Sequence, residues 1–486
     1  MEAKSASEED FAPYNPTFLD DIQLPTEDDP VEDLNSTSIT PSELEFLEKH
    51  GFIMPLPTTV SVITACTLTP KFLAPQKQSP TIQISTCAAT VSFKHSTTSS
   101  TLTIPLSAEI PAALEWCGYV SRVASEIYQR WRSCGQCPYN LLSFACGNLH
   151  ELTYPRFPER YTREQQLDRL GLNSQTIDGI LDKGYRDICG TQTLAFWVED
   201  TLRANYHCLE ETIYGLKRYV AAASEERDVE NMVAADVEIP YSTPLLPREH
   251  VSVQKRGPIL KNHVTLWVGR SPYTSQGEHF TWPELVDEDG GINMRFLESL
   301  ERRGDFNRDK SAYYFTSDKE TAEKFRQYAA LRCPKVETWL IRFQVSVKYI
   351  KGLTQRHLQY GDTFKDYVWH CRNTSGASMR EKNKTLSGKQ LIKGPICTST
   401  VPSMWKTKDG FEKTSLGDCN LLYLAKRKTF REILARGENL LPPGQRPKAT
   451  QWAFIDQSAD RSDLNRLGQE IRGKIHIEVT AAIKHL

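Results

Sequence analysis

The residues best suited to chemistry in this chain are few and widely separated. Residues 311–325 read SAYYFTSDKETAEKF. An aromatic β-type run, Tyr313-Tyr314-Phe315-Thr316, stops at Ser317-Asp318 and gives way to a helical pattern at Lys319-Glu320. Ser317 or Asp318 suits an N-cap, because a short side-chain oxygen can accept from the unpaired first amides of a helix. The stretch thus delivers aromatic and hydroxylated side chains to the end of a strand beside a helix N-terminus, where clefts form. Taken alone, two tyrosines in a strand also serve as core packing with tethered hydroxyls. Cys134-Gly-Gln-Cys137 is the only C-x-x-C among twelve cysteines. A zinc site needs further ligands at matching spacing, and there is no second C-x-x-C and no H-x-x-x-H, so no metal is expected. The cluster Lys426-Arg427-Lys428 is too short for a nucleic-acid footprint and reads as a solvated helix start.

The elements that must position these residues fall into two halves. Thr40-Pro41-Ser42-Glu43 opens a helix with a capping box and proline in its first turn. Three mostly antiparallel strands are expected within residues 58–106. From Pro111 a helical period follows, with Leu114, Val120, Val123, Ile127 and Trp131 on one face. A helical block over 138–224 includes a segment capped by Ser174 and a long one from Thr191 to Val220. No catalytic constellation is visible in residues 40–224, whose acidic residues and histidines sit on charged helix faces. Proline punctuation after residue 224 marks the best boundary. From His263 onward strand and helix alternate. Strands are expected at 264–270, 311–317, 337–347, 391–398, 450–456 and 472–480. Helices are expected at 293–304, 319–332 and 361–372, and residues 420–437 read as a strand or helix followed by a helix. Consecutive strands make this α+β rather than doubly wound α/β. The expected plan is a disordered tail over 1–38, a β-hairpin element with a helical domain over 39–224, a linker over 225–260 and an α+β domain over 261–486. No G-x-G-x-x-G follows a first strand, and no G-x-x-x-x-G-K-[ST] is present, so neither a dinucleotide Rossmann unit nor a P-loop is supported.

Charge narrows the classes further. Residues 1–50 hold fourteen Asp/Glu against Lys4 and Lys49, a balance of −12 where the whole chain has −2, so the remainder carries +10. The acidic, apolar-poor start reads as disordered. The basic remainder fits an anionic ligand or simply a soluble surface, not a nucleic-acid polycation. No secretory leader opens the chain and no apolar run of about 18 residues is present. A cytoplasmic or nuclear protein with reduced, dispersed cysteines is therefore expected, without membrane association.

In order and spacing, four motifs of the second half resemble those of the ADP-ribosyltransferase fold, closest to an uncharacterised bacterial and fungal offshoot. They are Leu266-Trp267-Val268-Gly269-Arg270, then Ala312-Tyr313-Tyr314-Phe315-Thr316 with its helix Ala322-Glu323-Lys324-Phe325, then Gly394-Pro395-Ile396-Cys397, then Gln451-Trp452-Ala453-Phe454. The resemblance covers about residues 262–480; the N-terminal half resembles only uncharacterised fungal proteins. It implies a split β-sheet with flanking helices and NAD as substrate, for ADP-ribosyl transfer or NAD hydrolysis. The acceptor would be a protein or small molecule. It also assigns roles. The backbone at Gly269 would clamp the nicotinamide amide, Tyr314 would stack on its ring, and Gln451 would hydrogen-bond the ribose. Val268 stands where relatives carry a histidine or arginine donor, and Arg270, two residues on and on the same strand face, would supply a donor in its place or bind a pyrophosphate oxygen. Gln451 in place of Glu lacks a full negative charge for an oxocarbenium-like transition state. The alternative is the same fold without turnover, a module binding NAD, ADP-ribose or a protein. Tyr313 and Phe325 are expected to pack sheet against helix, and His263 and His370 to be surface or satisfied histidines.

Overall fold

A computed structural model describes residues 37–55, 65–68, 89–94, 102–135, 137–149, 161–225, 259–273, 297–299, 304–307, 310–372, 386, 388–399, 420–424, 447–458 and 462–480. The acidic start to residue 36, most of the expected linker, the Lys426-Arg427-Lys428 cluster and the helix expected after it lie outside the described residues.

The first half begins with helix α1 (Pro41–Lys49). Its Thr40 capping box forms as the sequence predicts, with Glu43 N donating to Thr40 Oγ1 and the Glu43 carboxylate taking the Thr40 amide. Strands β1 (Ile53–Pro55), β2 (Ala65–Leu68) and β4 (Leu102–Pro105) form a small antiparallel sheet. The middle strand of the expected antiparallel set, β3 (Ala89–Lys94), is not in it. It pairs in parallel with β12 (Ile475–Thr480) and so edges the large sheet of the second half. The helical period from Pro111 breaks into α2 (Pro111–Cys117) and α3 (Ser121–Ser133) at Gly118, whose φ of 127° lies in a region glycine tolerates. Then come α4 (Leu141–Cys146), α5 (Arg163–Arg169), α6 (Ser174–Ile180), α7 (Arg186–Cys189) and α8 (Leu194–Glu225). Asn173, not Ser174, caps α6; its carboxamide oxygen accepts from Thr176 N at 2.9 Å.

The second half is built on the nine-stranded mixed sheet ordered β3-β12-β8-β5-β7-β11-β10-β9. Its members include β5 (His263–Arg270), β7 (Ala312–Thr316), β8 (Thr338–Ser346), β9 (Gln355–His357), β10 (Leu391–Pro395) and β11 (Thr450–Ile455). The ninth, β6 (Glu298–Ser299), pairs with Tyr313 and Ala312 of β7, where a helix was expected. Among the described residues, the helices of this half are α9 (Lys319–Arg332), α10 (Val347–Gly352), α11 (Asp362–Arg372) and α12 (Ser462–Ile471). β8 is buried along nearly its whole length, as a central strand covered on both faces must be. On one face Leu464, Leu467 and Ile471 of α12 meet Leu266, Trp339, Ile341 and Phe343. On the other, Phe364, Tyr367 and Val368 of α11 meet Ile392, Ala453 and Ile455. Beside α11 lies α9, whose far side is covered by the N-terminal helices: Tyr328 donates its hydroxyl to the Ile180 carbonyl at 2.8 Å. Tyr328, Cys333 and Val336 share one apolar cluster with Trp197, Leu202 and Ile177. The fold is α+β, and the helical half forms the outer layer over α9.

Candidate functional site: the cleft between β5 and β7

Sheet geometry creates the site. Strand β5 pairs with β8 from His263 to Arg270, but it meets β7 at a single point, Trp267 opposite Thr316. Beyond that point residues 268–270 stay with β8 and part from β7. A cavity of about 270 Å³ occupies this divergence, close to the lower end of ligand pockets at about 300 Å³. All five residues singled out from the sequence line it: Val268, Gly269, Arg270, Tyr314 and Gln451. They come from three strands and up to 183 positions apart in sequence, from 268 to 451.

Gly269 is a glycine because of what lies behind it. A Cβ there would sit 1.8 Å from the Ala322 carbonyl oxygen and 2.8 Å from Arg326 N, both backbone atoms of α9. Its missing side chain lets helix and strand approach, and so brings Ala322, Phe325 and Ala329 to the cavity wall. Phe325, expected only to pack sheet against helix, therefore also faces the cavity. Tyr313 does behave as packing: it is buried in the layer under α12.

Tyr314 is half-buried, and its hydroxyl is fixed at the covered end. The hydroxyl donates to Asn307 Oδ1 at 3.0 Å and accepts from Phe306 N at 2.9 Å. Burial, reinforced by the Asp305 carboxylate, pushes the phenol well above its ordinary pKa, so it stays protonated and able to donate. Gly304 makes room for this anchor, since a Cβ there would lie 2.4 Å from the Tyr314 hydroxyl. What remains for a ligand is the ring.

Gln451 shares a sheet face with Tyr314, because Gln451 lies opposite Thr316 and Ala453 opposite Tyr314. Its Nε2 donates to Asp305 Oδ2 at 2.5 Å and to the Pro395 carbonyl at 2.8 Å. Asp305 is itself 3% exposed and receives Arg372 Nε at 2.6 Å and Cys397 N at 2.9 Å. Arg372, at the end of α11, also donates to the Ser399, Thr191 and Cys397 carbonyls. Burial alone would lower the Arg372 pKa; the Asp305 carboxylate outweighs it, and the guanidinium stays charged.

The two departures from the family pattern have distinct settings. Val268 borders the cavity, but its side chain has no donor and packs in the apolar layer under α12. Arg270 donates Nη2 to the Tyr273 carbonyl at 2.7 Å and Nε to Ser271 O at 3.2 Å. Burial lowers its pKa, and the facing Asp200 partly restores it.

The opposite wall comes from the half in which no site residue was expected. Thr191, Gln192, Phe196, Trp197 and Asp200 all line the cavity. Asp200 accepts from Arg332 Nη2 at 2.7 Å, and that guanidinium lies 4.6 Å over the Trp197 ring. The sequence signal was faint: one acidic residue three positions after a tryptophan on an amphipathic helix. Asp305 was missed for a similar reason, as a lone acid in a turn. His263 is half-buried, His370 is buried, and neither lines the cavity. Cys134 is exposed and Cys137 half-buried, and among the described residues no three metal-ligating side chains converge. No helix among the described residues is long and apolar enough to cross a membrane.

Compared with protein-family models, curated proteins and solved structures, the chain matches none.

Proposed function

We propose that the β5–β7 cleft binds NAD by its nicotinamide-ribose end and catalyses ADP-ribosyl transfer or NAD hydrolysis. One observation carries the reading: Gly269, Tyr314 and Gln451 border a single cavity. In this reading the backbone at Gly269 holds the nicotinamide amide and Tyr314 presents its ring for stacking. Trp197 and Phe196 add aromatic surface on the facing wall, and the Gln451 amide oxygen accepts from a ribose hydroxyl. In the reaction the bond between nicotinamide and ribose breaks, and its electron pair leaves on nicotinamide. Water or an acceptor nucleophile bonds the ribose carbon and gives up a proton, through a transition state with oxocarbenium character. Orienting the ribose against a dipolar oxygen is the contribution asked of the protein. The acceptor is a protein or small-molecule nucleophile, and the setting is cytoplasmic or nuclear.

A second reading, NAD or ADP-ribose binding without turnover, is favoured by Val268, whose side chain has no donor to offer a ribose hydroxyl. Incubation with labelled NAD separates the two. Nicotinamide release by the wild type, lost in Tyr314→Ala and Gln451→Ala, supports chemistry. An NAD-dependent rise in melting temperature without release supports the binding module. Neither response would sink both.

A further inference from the structure

We infer that Asp305 is the positioning residue for Gln451, turning its amide oxygen into the cavity so that the site accepts a ligand hydroxyl there. This deepens the reading above and rests on it for the identity of the hydroxyl, the ribose of NAD. The amide orientation follows from its partners alone. Asp305 Oδ2 and the Pro395 carbonyl both accept hydrogen bonds, so the atom facing both is the NH₂ group. Both of its hydrogens are then used. Asp305 is held as an acceptor by Arg372 Nε, Cys397 N and Gln451 Nε2, which leaves it no reason to turn. The end of Gln451 left for the cavity is its oxygen, a group that takes a hydroxyl donor and repels a carbonyl or phosphate oxygen.

The carboxylate also changes what the glutamine is. Its negative oxygen lies on the amide hydrogens, and hydrogen bonds in series polarise one another. The arrangement therefore returns to Gln451 Oε1 part of the negative character that an amide lacks. A charge one residue removed, in a pair neutralised on its far side by Arg372, does part of the work of a glutamate.

Gln451→Glu tests the contact without any ligand. It sets a carboxylate against Asp305, and two carboxylates so close share a proton, which raises the pKa of one of them. A group whose folded pKa is raised stabilises fully below its unfolded pKa and loses that contribution as pH rises. The melting temperature of Gln451→Glu is thus expected to lie closest to wild type at about pH 4, short of it only by the hydrogen bond that a single carboxyl proton cannot supply, and to fall progressively behind it towards about pH 7. Asp318, which accepts from the neighbouring Thr450 N and whose pKa burial raises, titrates in wild type and variant alike and cancels in the comparison; the other titratable groups facing this position do not interfere. Arg372 stays charged, burial holds the Tyr314 phenol high, and burial raises the Cys397 thiol to about 11. A deficit that is the same at both pH values overturns the contact.

The double variant Asp305→Asn/Gln451→Glu tests the role. It exchanges acid and amide across the contact, and is expected to regain about tenfold or more of the NAD turnover lost in each single variant, with KM nearly unchanged. Additive losses would mean that Asp305 only holds the fold, and would overturn the positioning role. If wild type neither binds nor cleaves NAD, the functional reading fails, while the ligand-free pH comparison still decides whether the side chains at 305 and 451 are in contact.

Discussion

Gln451 and Asp305, 146 residues apart in sequence, meet at 2.5 Å in the floor of the cavity, and the carboxylate is held there by Arg372. Three chain segments depend on this contact. Asp305 lies in the turn that anchors Tyr314, Gln451 on β11, and Arg372 on α11, from which it reaches the Thr191 carbonyl just before α8. The cavity floor and the wall supplied by the N-terminal half are thus tied through one buried guanidinium.

Arg372→Met is the direct test of that tie. Methionine nearly fills the volume but leaves the Asp305 carboxylate buried with no countercharge, and three carbonyls lose a donor. Removing one partner of a buried pair costs about 3–5 kcal/mol. Equilibrium denaturation should show a loss of that size; a loss below about 1 kcal/mol would mean that water or a neighbour replaces the guanidinium readily.

A glycine sets the height of the cavity wall. In Gly269→Ala the new methyl would collide with two backbone groups of α9, the Ala322 carbonyl and the Arg326 amide, neither of which can rotate away. The helix has to lift from β5, carrying Phe325 and Ala329 with it. Overpacking of this kind costs about 1–3 kcal/mol or more. The expected outcome is a lower melting temperature together with loss of any NAD-induced stabilisation. Unchanged values for both would show that the close approach of helix and strand has no role in shaping the site.

Ring and hydroxyl of Tyr314 have separate duties, and two substitutions separate them. Tyr314→Phe keeps the ring but strips Phe306 N of its acceptor and Asn307 of its donor, which costs about 1–3 kcal/mol of stability for a buried unsatisfied group. NAD affinity should change little. Tyr314→Ala removes the stacking surface as well, and affinity should fall by about tenfold or more, from about 1.4 kcal/mol of lost contact. Calorimetric titration of both variants checks this. Equal affinities for Phe and Ala variants would end the stacking role.

How far the sequence allowed this site to be read depends on whether a feature was local. β5, β7, β8 and β11 were legible because alternation and aromatic content are properties of consecutive residues, and Thr40 was legible as a cap because its partner is three residues away. Asp305 was not, since its meaning arises only when Arg372, Cys397 N and Gln451 converge from 67, 92 and 146 positions away. β3 was read as part of a local antiparallel set because its composition suits any sheet, while its parallel pairing with β12 is decided 386 residues later. The wall from α8 was hidden for the same reason: Trp197 and Asp200 look like an apolar face and a solvated one until α9 packs beside them.

Asp318 shows how a local reading can be right about the residue and wrong about its bond. It is the N-cap of α9 by position, yet its side chain caps nothing; Oδ2 accepts instead from Thr450 N at 3.2 Å, next to Gln451. Burial raises its pKa, against the opposing pull of the hydrogen bonds from Thr450 and Thr316. Because the folded pKa lies above the unfolded one, the contribution of Asp318 is full below about pH 4 and is lost as pH rises through the folded value. Asn at this position keeps an oxygen for Thr450 N and carries no charge to desolvate. Asp318→Asn should therefore gain stability relative to wild type between about pH 4 and pH 7, read as a widening difference in melting temperature. A difference that narrows with rising pH would instead mean that the carboxylate is better placed charged than neutral, and that the junction of β7, α9 and β11 is held by its ionic rather than its hydrogen-bonding character.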